Sequence, residues 1–335
     1  MTANQSPRTA WTHSRRAYYR HLASWYLLGR GGHLGFWHDT PVVAAPVDTG
    51  RLGPYLMVFA EKSDYAGPFD SAGIPLLDYG GEIGPQHNPI AISQYALGNY
   101  NRWAADGSDD RKRKFLVCAD WLVDNLEVAQ GDLLAWQHHF DWRYRQILRA
   151  PWHSGLAQGQ GISVLVRAHA MTEEEGYREC AEEAMRSLMA PVSEGGTLWT
   201  WEDEGVWVEE YLVDPPTHIL NGHVWALWGV WDFALATGDE AAKRLFDTAI
   251  ITLKQRLADY DTGYWSLYEL SGTKLPMLAS PFYHRLHIAQ LRGLHRITGD
   301  AVFDEYADRW ASYQRSRAKR TWAFVGKALF KVFHY

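Results

Sequence analysis

The sequence predicts a mainly α protein, an incomplete α/α toroid of about four helical hairpins, with a small β-containing N-terminal cap and strand-bearing long loops. Three observations predict it. A helix–turn–helix pattern recurs four times at a spacing of roughly 60 to 65 residues. Within each pair the first helix is apolar and the second carries a polar face. The connections inside a pair are a few residues long, whereas those between pairs exceed twenty, too long for idle loops in a compact domain.

The N-terminal 80 residues are the least regular. Ala10 to Leu28 reads as an amphipathic helix, and Pro41 to Glu61 as an extended stretch with turns at Gly50 and Gly53. The inner helices are expected at about 88–104, 156–170, 218–236 and 283–297, and the outer ones at about 108–127, 173–189, 240–258 and 301–315. The turns between partners are 104–110, Met171-Thr172-Glu173-Glu174, Thr237-Gly238-Asp239-Glu240 and Thr298-Gly299-Asp300. In the last two, Gly sits where a helix end wants the left-handed conformation and Asp where the next N-cap belongs. The long connections, 128–155, 190–217 and 259–282, all lead into inner-helix N-termini, so they share one face, where a site would be built. Trp136 to Tyr144 and Thr197 to Tyr211 read as strands within them. The expected domains are a cap at 1–80, the toroid at 81–318 and a basic, aromatic tail at 319–335. That tail could lie on an anionic membrane surface, but a last helix or strand docked on the domain is the preferred reading.

Composition narrows the function. The 335 residues include 17 Trp, 18 Tyr and 12 Phe, an aromatic content foreign to disordered chains. Against 39 Asp and Glu there are 33 Lys and Arg, a net charge of −6, which argues against a nucleic-acid binder relying on global charge. No apolar run approaches the roughly 20 residues that span a bilayer, and Arg15, Arg16 and Arg20 interrupt any signal-peptide core, so a cytoplasmic protein is expected. Cys118 and Cys180 have no zinc-finger neighbours and read as reduced packing residues.

Polar residues cluster where inner helices begin: Asn88, Gln158 and Gln160, His218 to Asn221, and Tyr283, His284 and His287. Helix N-termini favour a carboxylate ligand. Asn88 also reads as an ordinary cap, and Gln158 as a loop hydrogen-bonder. His284 and His287 share a helix face at a spacing that can serve a metal. Without a third ligand at a recognisable spacing, neither a metal nor another cofactor is assigned.

The segments 205–211, 217–222, 260–263, 268–270 and 283–288, with Ala157-Gln158-Gly159-Gln160-Gly161-Ile162-Ser163, Leu165 to Ala168, Arg309-Trp310, Tyr313 and 316–319, carry a family pattern. The chain resembles the catalytic C-terminal domain of the D-glucuronyl C5-epimerases, which turn D-glucuronate into L-iduronate within heparosan-type chains. The resemblance covers about 136–320. It implies an isomerase acting on an anionic, glucuronate-containing polysaccharide, a homodimer, and a catalytic set in which Tyr211, Tyr268 and Tyr283 match the family tyrosines, with Glu210 beside the first. Glu269 reads as a solvent-side residue and is not carried forward. After Tyr268-Glu269-Leu270 the animal enzymes carry an Arg, whereas this chain has Ser271. They also carry a membrane anchor and a longer N-terminal β domain, and a chain of 335 residues is not expected to have room for both together.

The chemistry suits these residue types. Epimerisation removes a carbon-bound proton next to a carboxylate and returns one from the opposite face, so two acid–base groups must flank the ring. Bringing a phenol from about 10 to about 7 takes roughly 4 kcal/mol of stabilisation. Arg143, Arg145, Arg167, Arg285, His284 and His287 are the expected sources of it, and of the charge that holds the substrate carboxylate; Gln158, Gln160, Asn221 and Asn88 are the expected neutral binding groups. Three alternatives remain: a polysaccharide lyase starting from the same proton abstraction, a glycoside hydrolase using Glu210 with Glu204 or Asp261, and a non-catalytic glycan-binding homologue.

Overall fold

The computed structural model describes residues 35–44 and 48–334; the helix expected at Ala10 to Leu28 lies outside them. The inner helices are α1 (Pro89–Asp106), α3 (Gly155–Thr172), α5 (Leu220–Thr237) and α7 (Pro281–Thr298), and the outer ones α2 (Asp109–Asp124), α4 (Glu175–Met189), α6 (Glu240–Arg256) and α8 (Ala301–Arg315). Each outer helix packs on its own inner partner, and the inner helices pack on one another in chain order, giving an incomplete α/α toroid.

Inner helices are buried nearly all round at their N-terminal halves, whereas an outer helix buries a stripe: in α4, Tyr177, Cys180, Ala181, Ala184, Met185 and Leu188 recur at helical spacing. Cys118 and Cys180 are free and buried. The tightest seam joins α3 and α5. A Cβ at Gly229 would lie 2.1 Å from the Gly159 carbonyl oxygen, so only glycine lets these backbones meet.

The short turns follow the repeat. Gly238 and Gly299 close α5 and α7 in the left-handed conformation, and Asp239 caps α6 by accepting from the Ala242 N–H at 2.7 Å. Asp300 departs from its expected role. It occupies the N-cap position of α8 without a side-chain cap, because its carboxylate bonds to Lys254 Nζ at 2.9 Å.

The long connections carry short antiparallel ladders. Strands β1 (Leu76–Asp78) and β2 (Pro85–His87) pair ahead of α1, and β3 (Glu127–Gln130) and β4 (Leu133–Ala135) pair after α2. Strand β5 (Gln137–His138) pairs with β8 (Trp152–His153) around the inner pair β6 (Trp142–Arg143) and β7 (Ile147–Leu148), a nested hairpin. Strands β9 (Leu198–Thr200) and β10 (Val206–Val208) pair before α5. In the stretch expected to be extended, the described residues hold one bridge, Val43 to Met57, and end in a helical turn, Ala60–Ser63. The tail forms α9 (Arg317–His334), docked through Lys327 Nζ on the Leu278 carbonyl at 2.7 Å and through buried Phe330. Among the described residues no helix is long and apolar enough to cross a membrane.

Candidate active site

A cavity of about 190 Å³ lies where the inner helices begin. Asn88 and Ile90 of the first hairpin, Leu156 of the second, Asn221 and Trp225 of the third, and Phe282, Tyr283 and Leu286 of the fourth face it. The loops add Tyr79, His138, Phe140, Trp142, Trp152, Glu210 and Tyr211, and the N-terminal segment adds Trp37, Asp39, Thr40, Met57, Phe59 and Lys62. The walls are aromatic and interlocked: Tyr79 lies 4.7 Å from Phe140, Trp152 lies 5.8 Å from Tyr211, and Tyr144 packs against Tyr211 at 4.6 Å between ring centroids. Flat apolar rings with polar edges suit a sugar.

Of the expected site residues, the fold brings Tyr211, Tyr283, Glu210, Asn221 and Asn88 into one wall. Tyr268 stands behind Tyr283, ring centroids 4.9 Å apart, with its hydroxyl bonded to the Tyr283 oxygen. Asn88 also caps α1, its Oδ1 accepting from the Ile90 N–H at 2.9 Å, while its Nδ2 donates to the Tyr79 hydroxyl at 2.7 Å. The cap reading of Asn88 therefore describes a real contact, made by a side chain that also lines the cavity.

Glu210 is the most perturbed acid in the wall. Burial pushes its carboxyl up to about 8; hydrogen bonds from Tyr211 and Asn221 oppose the rise, and the negative charges of Glu269 and Glu209 add to it. Asn221 Nδ2 donates to Glu210 Oε2 at 3.3 Å. The phenols of Tyr211, Tyr268 and Tyr283 are all pushed up, by burial first and then by the charge of Glu210.

The expected cations are elsewhere. Arg167 is fully buried and clasps Asp232 with two nitrogens, at 2.6 and 3.0 Å. Arg145 is tied to Glu269 and to the Ser271 hydroxyl, and the Tyr144 hydroxyl bonds to the same Glu269 carboxylate. Glu269, expected at the solvent side, is buried in this network. Arg143 is exposed, and Arg285 is half-buried and not in the cavity wall. His284 stacks on Trp265 at 3.8 Å; its Nε2–H donates to the Trp310 carbonyl at 3.0 Å and its Nδ1 accepts from the Ser266 N–H at 3.2 Å. His287 Nδ1 shares the Ser266 hydroxyl, at 3.0 Å. Burial pushes His284 down to about 3 and His287 well below the ordinary imidazole range, so both are neutral core residues. Helical phase explains this: Tyr283 and Leu286 face the cavity, while residues 284 and 287 face α8.

Gln158 and Gln160 are one layer removed. Gln158 accepts from the Trp136 N–H at 3.1 Å and donates to its carbonyl at 3.2 Å, which makes it a loop hydrogen-bonder. Gln160 Oε1 accepts from Gln94 Nε2 at 3.0 Å. Gln94 itself lines the cavity, as does His138, neither of them singled out by the sequence. His138 stacks on Trp152 at 3.9 Å and donates from Nδ1 to the Trp152 carbonyl at 3.3 Å, and burial pushes it down to about 3. That leaves Nε2 an acceptor. Among the described residues, His138 Nε2, Gln94 Oε1 and Asn221 Oδ1 are buried without a hydrogen-bond partner, three acceptors in the wall suited to hydroxyl groups. The missed signal was position: Gln94 lies in the second turn of α1, and His138 immediately precedes the aromatic run of the nested hairpin.

Comparison with known proteins gives the site a context. Residues 130–312 match the model of the D-glucuronyl C5-epimerase C-terminus. The D-glucuronyl C5-epimerase of Caenorhabditis elegans is 32% identical over 220 residues, 61% of this chain and 35% of that one. An uncharacterized protein of Methanocaldococcus jannaschii is 28% identical over 208 residues, 59% of this chain and 66% of that one. The chain thus spans about a third of the length of the first relative and just under two thirds of the second. Among solved structures, the unsaturated glucuronyl hydrolase of Bacillus sp. GL1 overlaps 67% of this chain and 61% of its own, with a TM-score of 0.46 at 14% identity. With more than half of its residues matched by the family model, the chain belongs to the D-glucuronyl C5-epimerase family through that family's C-terminal region.

Proposed function

We propose that the protein epimerises C5 of glucuronate residues within a heparosan-type polysaccharide, with Tyr211 and Tyr283 as the proton-transferring groups, Glu210 as the acceptor of the Tyr211 proton and Tyr268 as support for Tyr283. The observation that carries this reading is the pairing of two cavity-facing phenols with a buried carboxyl whose proton affinity lies near neutrality. The raised phenols weigh against the route expected from sequence, a tyrosine made acidic by neighbouring cations. A coupled transfer fits instead. The ionised Glu210 carboxylate takes the phenolic proton of Tyr211 as that oxygen receives the proton from C5. Tyr283 then donates its proton to the opposite face of C5, and its phenolate is stabilised by the Tyr268 hydroxyl. The unpartnered acceptors on His138, Gln94 and Asn221 orient the hydroxyls of the ring.

The test is product analysis after incubation with heparosan. Iduronate in chains of unchanged length supports the reading. An unsaturated uronate would instead identify a lyase, which shares the first step, and new reducing ends a hydrolase.

A further inference from the structure

We propose that Lys62 is the cation that holds the substrate's uronate carboxylate, an assignment that rests on the function proposed above. A uronate in an aromatic cavity needs a positive group, and the arginines that sequence offers are committed or outside the wall. Arg145 is held by Glu269 and Arg167 by Asp232. Among the described residues lining the cavity, Lys62 is the sole Lys or Arg, and His138 is neutral.

The environment of Lys62 suits an anionic ligand. Its side chain is buried at 5% exposure in the wall, and its ammonium donates to the Phe36 carbonyl at 2.8 Å and sits 4.3 Å from the Phe36 ring centroid. That one bond leaves two of its three donors, and no carboxylate among the described residues is within ion-pair distance. In the same wall Asp39 is 7% exposed, and its buried Oδ2 has no hydrogen-bond partner among the described residues. Burying an ammonium with no carboxylate in ion-pair contact, in the same wall as an orphaned carboxylate oxygen, is costly unless a ligand satisfies both. A uronate does so: its carboxylate meets Lys62, and a ring hydroxyl donates to Asp39. Burial pushes Lys62 down to about 7, with Asp39 and Glu61 holding it up, so an arriving carboxylate favours the charged form. The backbone agrees. Lys62 lies in the helical turn that begins at Phe59, a non-glycine residue at φ 52°, and Phe59 is itself a wall residue. Such strain collects at functional sites. Its carbonyl lies against Gly98, where a Cβ would approach it to 2.7 Å, so α1 holds the turn in place.

The experiment compares the full chain with Lys62→Met, titrating each with a heparosan oligosaccharide and with the same oligosaccharide whose carboxyls have been reduced to primary alcohols. The variant should bind the carboxylate form about thirtyfold or more weakly, and the reduced form as the wild type does. Equal loss for both ligands, or no loss for either, would overturn the assignment. Wild type that binds both forms alike would overturn it too. Lys62→Gln, which can keep the bond to the Phe36 carbonyl without the charge, answers the same question if the methionine variant does not fold. Failure of the epimerase reading shows separately: carboxylate-selective binding lost in the variant, with no deuterium entering C5, supports Lys62 and removes epimerisation.

Discussion

Gly222 is the seat of Glu210: a Cβ at Gly222 would lie 2.3 Å from Glu210 Oε2 and 2.6 Å from the Glu210 Cβ. Gly222 sits in the first turn of α5, where any residue could adopt the backbone, so the glycine is required by space. Gly222→Ala should displace the carboxylate from Asn221 and Tyr211 and lower the rate of C5 proton exchange about a hundredfold. Thermal unfolding should show a loss of about 1–3 kcal/mol, the cost of overpacking. Full activity in a folded variant would remove Glu210 from the proton path.

Glu210 also predicts a pH dependence of stability. Its folded carboxyl titrates near 8 against an ordinary 4.5, so the folded state binds this proton more tightly than the unfolded chain. Its cost to stability is therefore absent below the ordinary carboxyl range, grows as pH rises from there to about 8, and is constant above. Glu210→Gln should gain on wild type through that window, by about 5 kcal/mol at most. Denaturant titrations of both proteins between pH 4 and 9 measure it. The exchange rate of wild type should rise with pH through the same range, as Glu210 ionises.

Tyr283 and Tyr268 differ in position and should differ in effect. Tyr283→Phe removes a hydroxyl that faces the cavity and should abolish the conversion of glucuronate to iduronate without unfolding the protein. Tyr268→Phe removes a hydroxyl one layer back, and should lower the rate by a smaller factor with little change in substrate affinity. Equal losses in single-turnover iduronate formation would place Tyr268 in direct contact with the sugar.

Arg167 predicts the opposite pattern. Its guanidinium bonds Asp232, the Ser163 carbonyl and the Gly53 carbonyl, joining α3, α5 and the N-terminal segment. Arg167→Met strands a buried carboxylate and should cost about 3–5 kcal/mol, measured by urea unfolding. Substrate affinity of the folded variant should be unchanged. A selective fall in affinity would return Arg167 to the binding site.

The toroid was legible because its signals are local. Gly238 and Gly299, the alternation of apolar and polar helices, and the uneven connection lengths each report on nearby chain. The level of the site was legible for the same reason, since Asn88, Asn221 and Tyr283 all begin inner helices. Direction was not legible. His284 and Tyr283 are adjacent in sequence and face different partners, and only the packing of α7 against α8 decides which one meets the cavity. Long-range pairing was equally hidden: nothing near Glu269 announces Arg145, more than a hundred residues away, and nothing near Arg167 announces Asp232. The wall residues Lys62 and Asp39 come from the stretch with the weakest periodicity, where sequence offered turns and no chemistry.

Deuterium incorporation at C5 tests the central claim most directly. The full chain incubated with heparosan in heavy water should place deuterium at C5 of both glucuronate and iduronate, with chain length unchanged and no iduronate formed by Tyr283→Phe. Heparosan recovered with its C5 protons intact, in the presence of folded protein that binds it, would contradict the account.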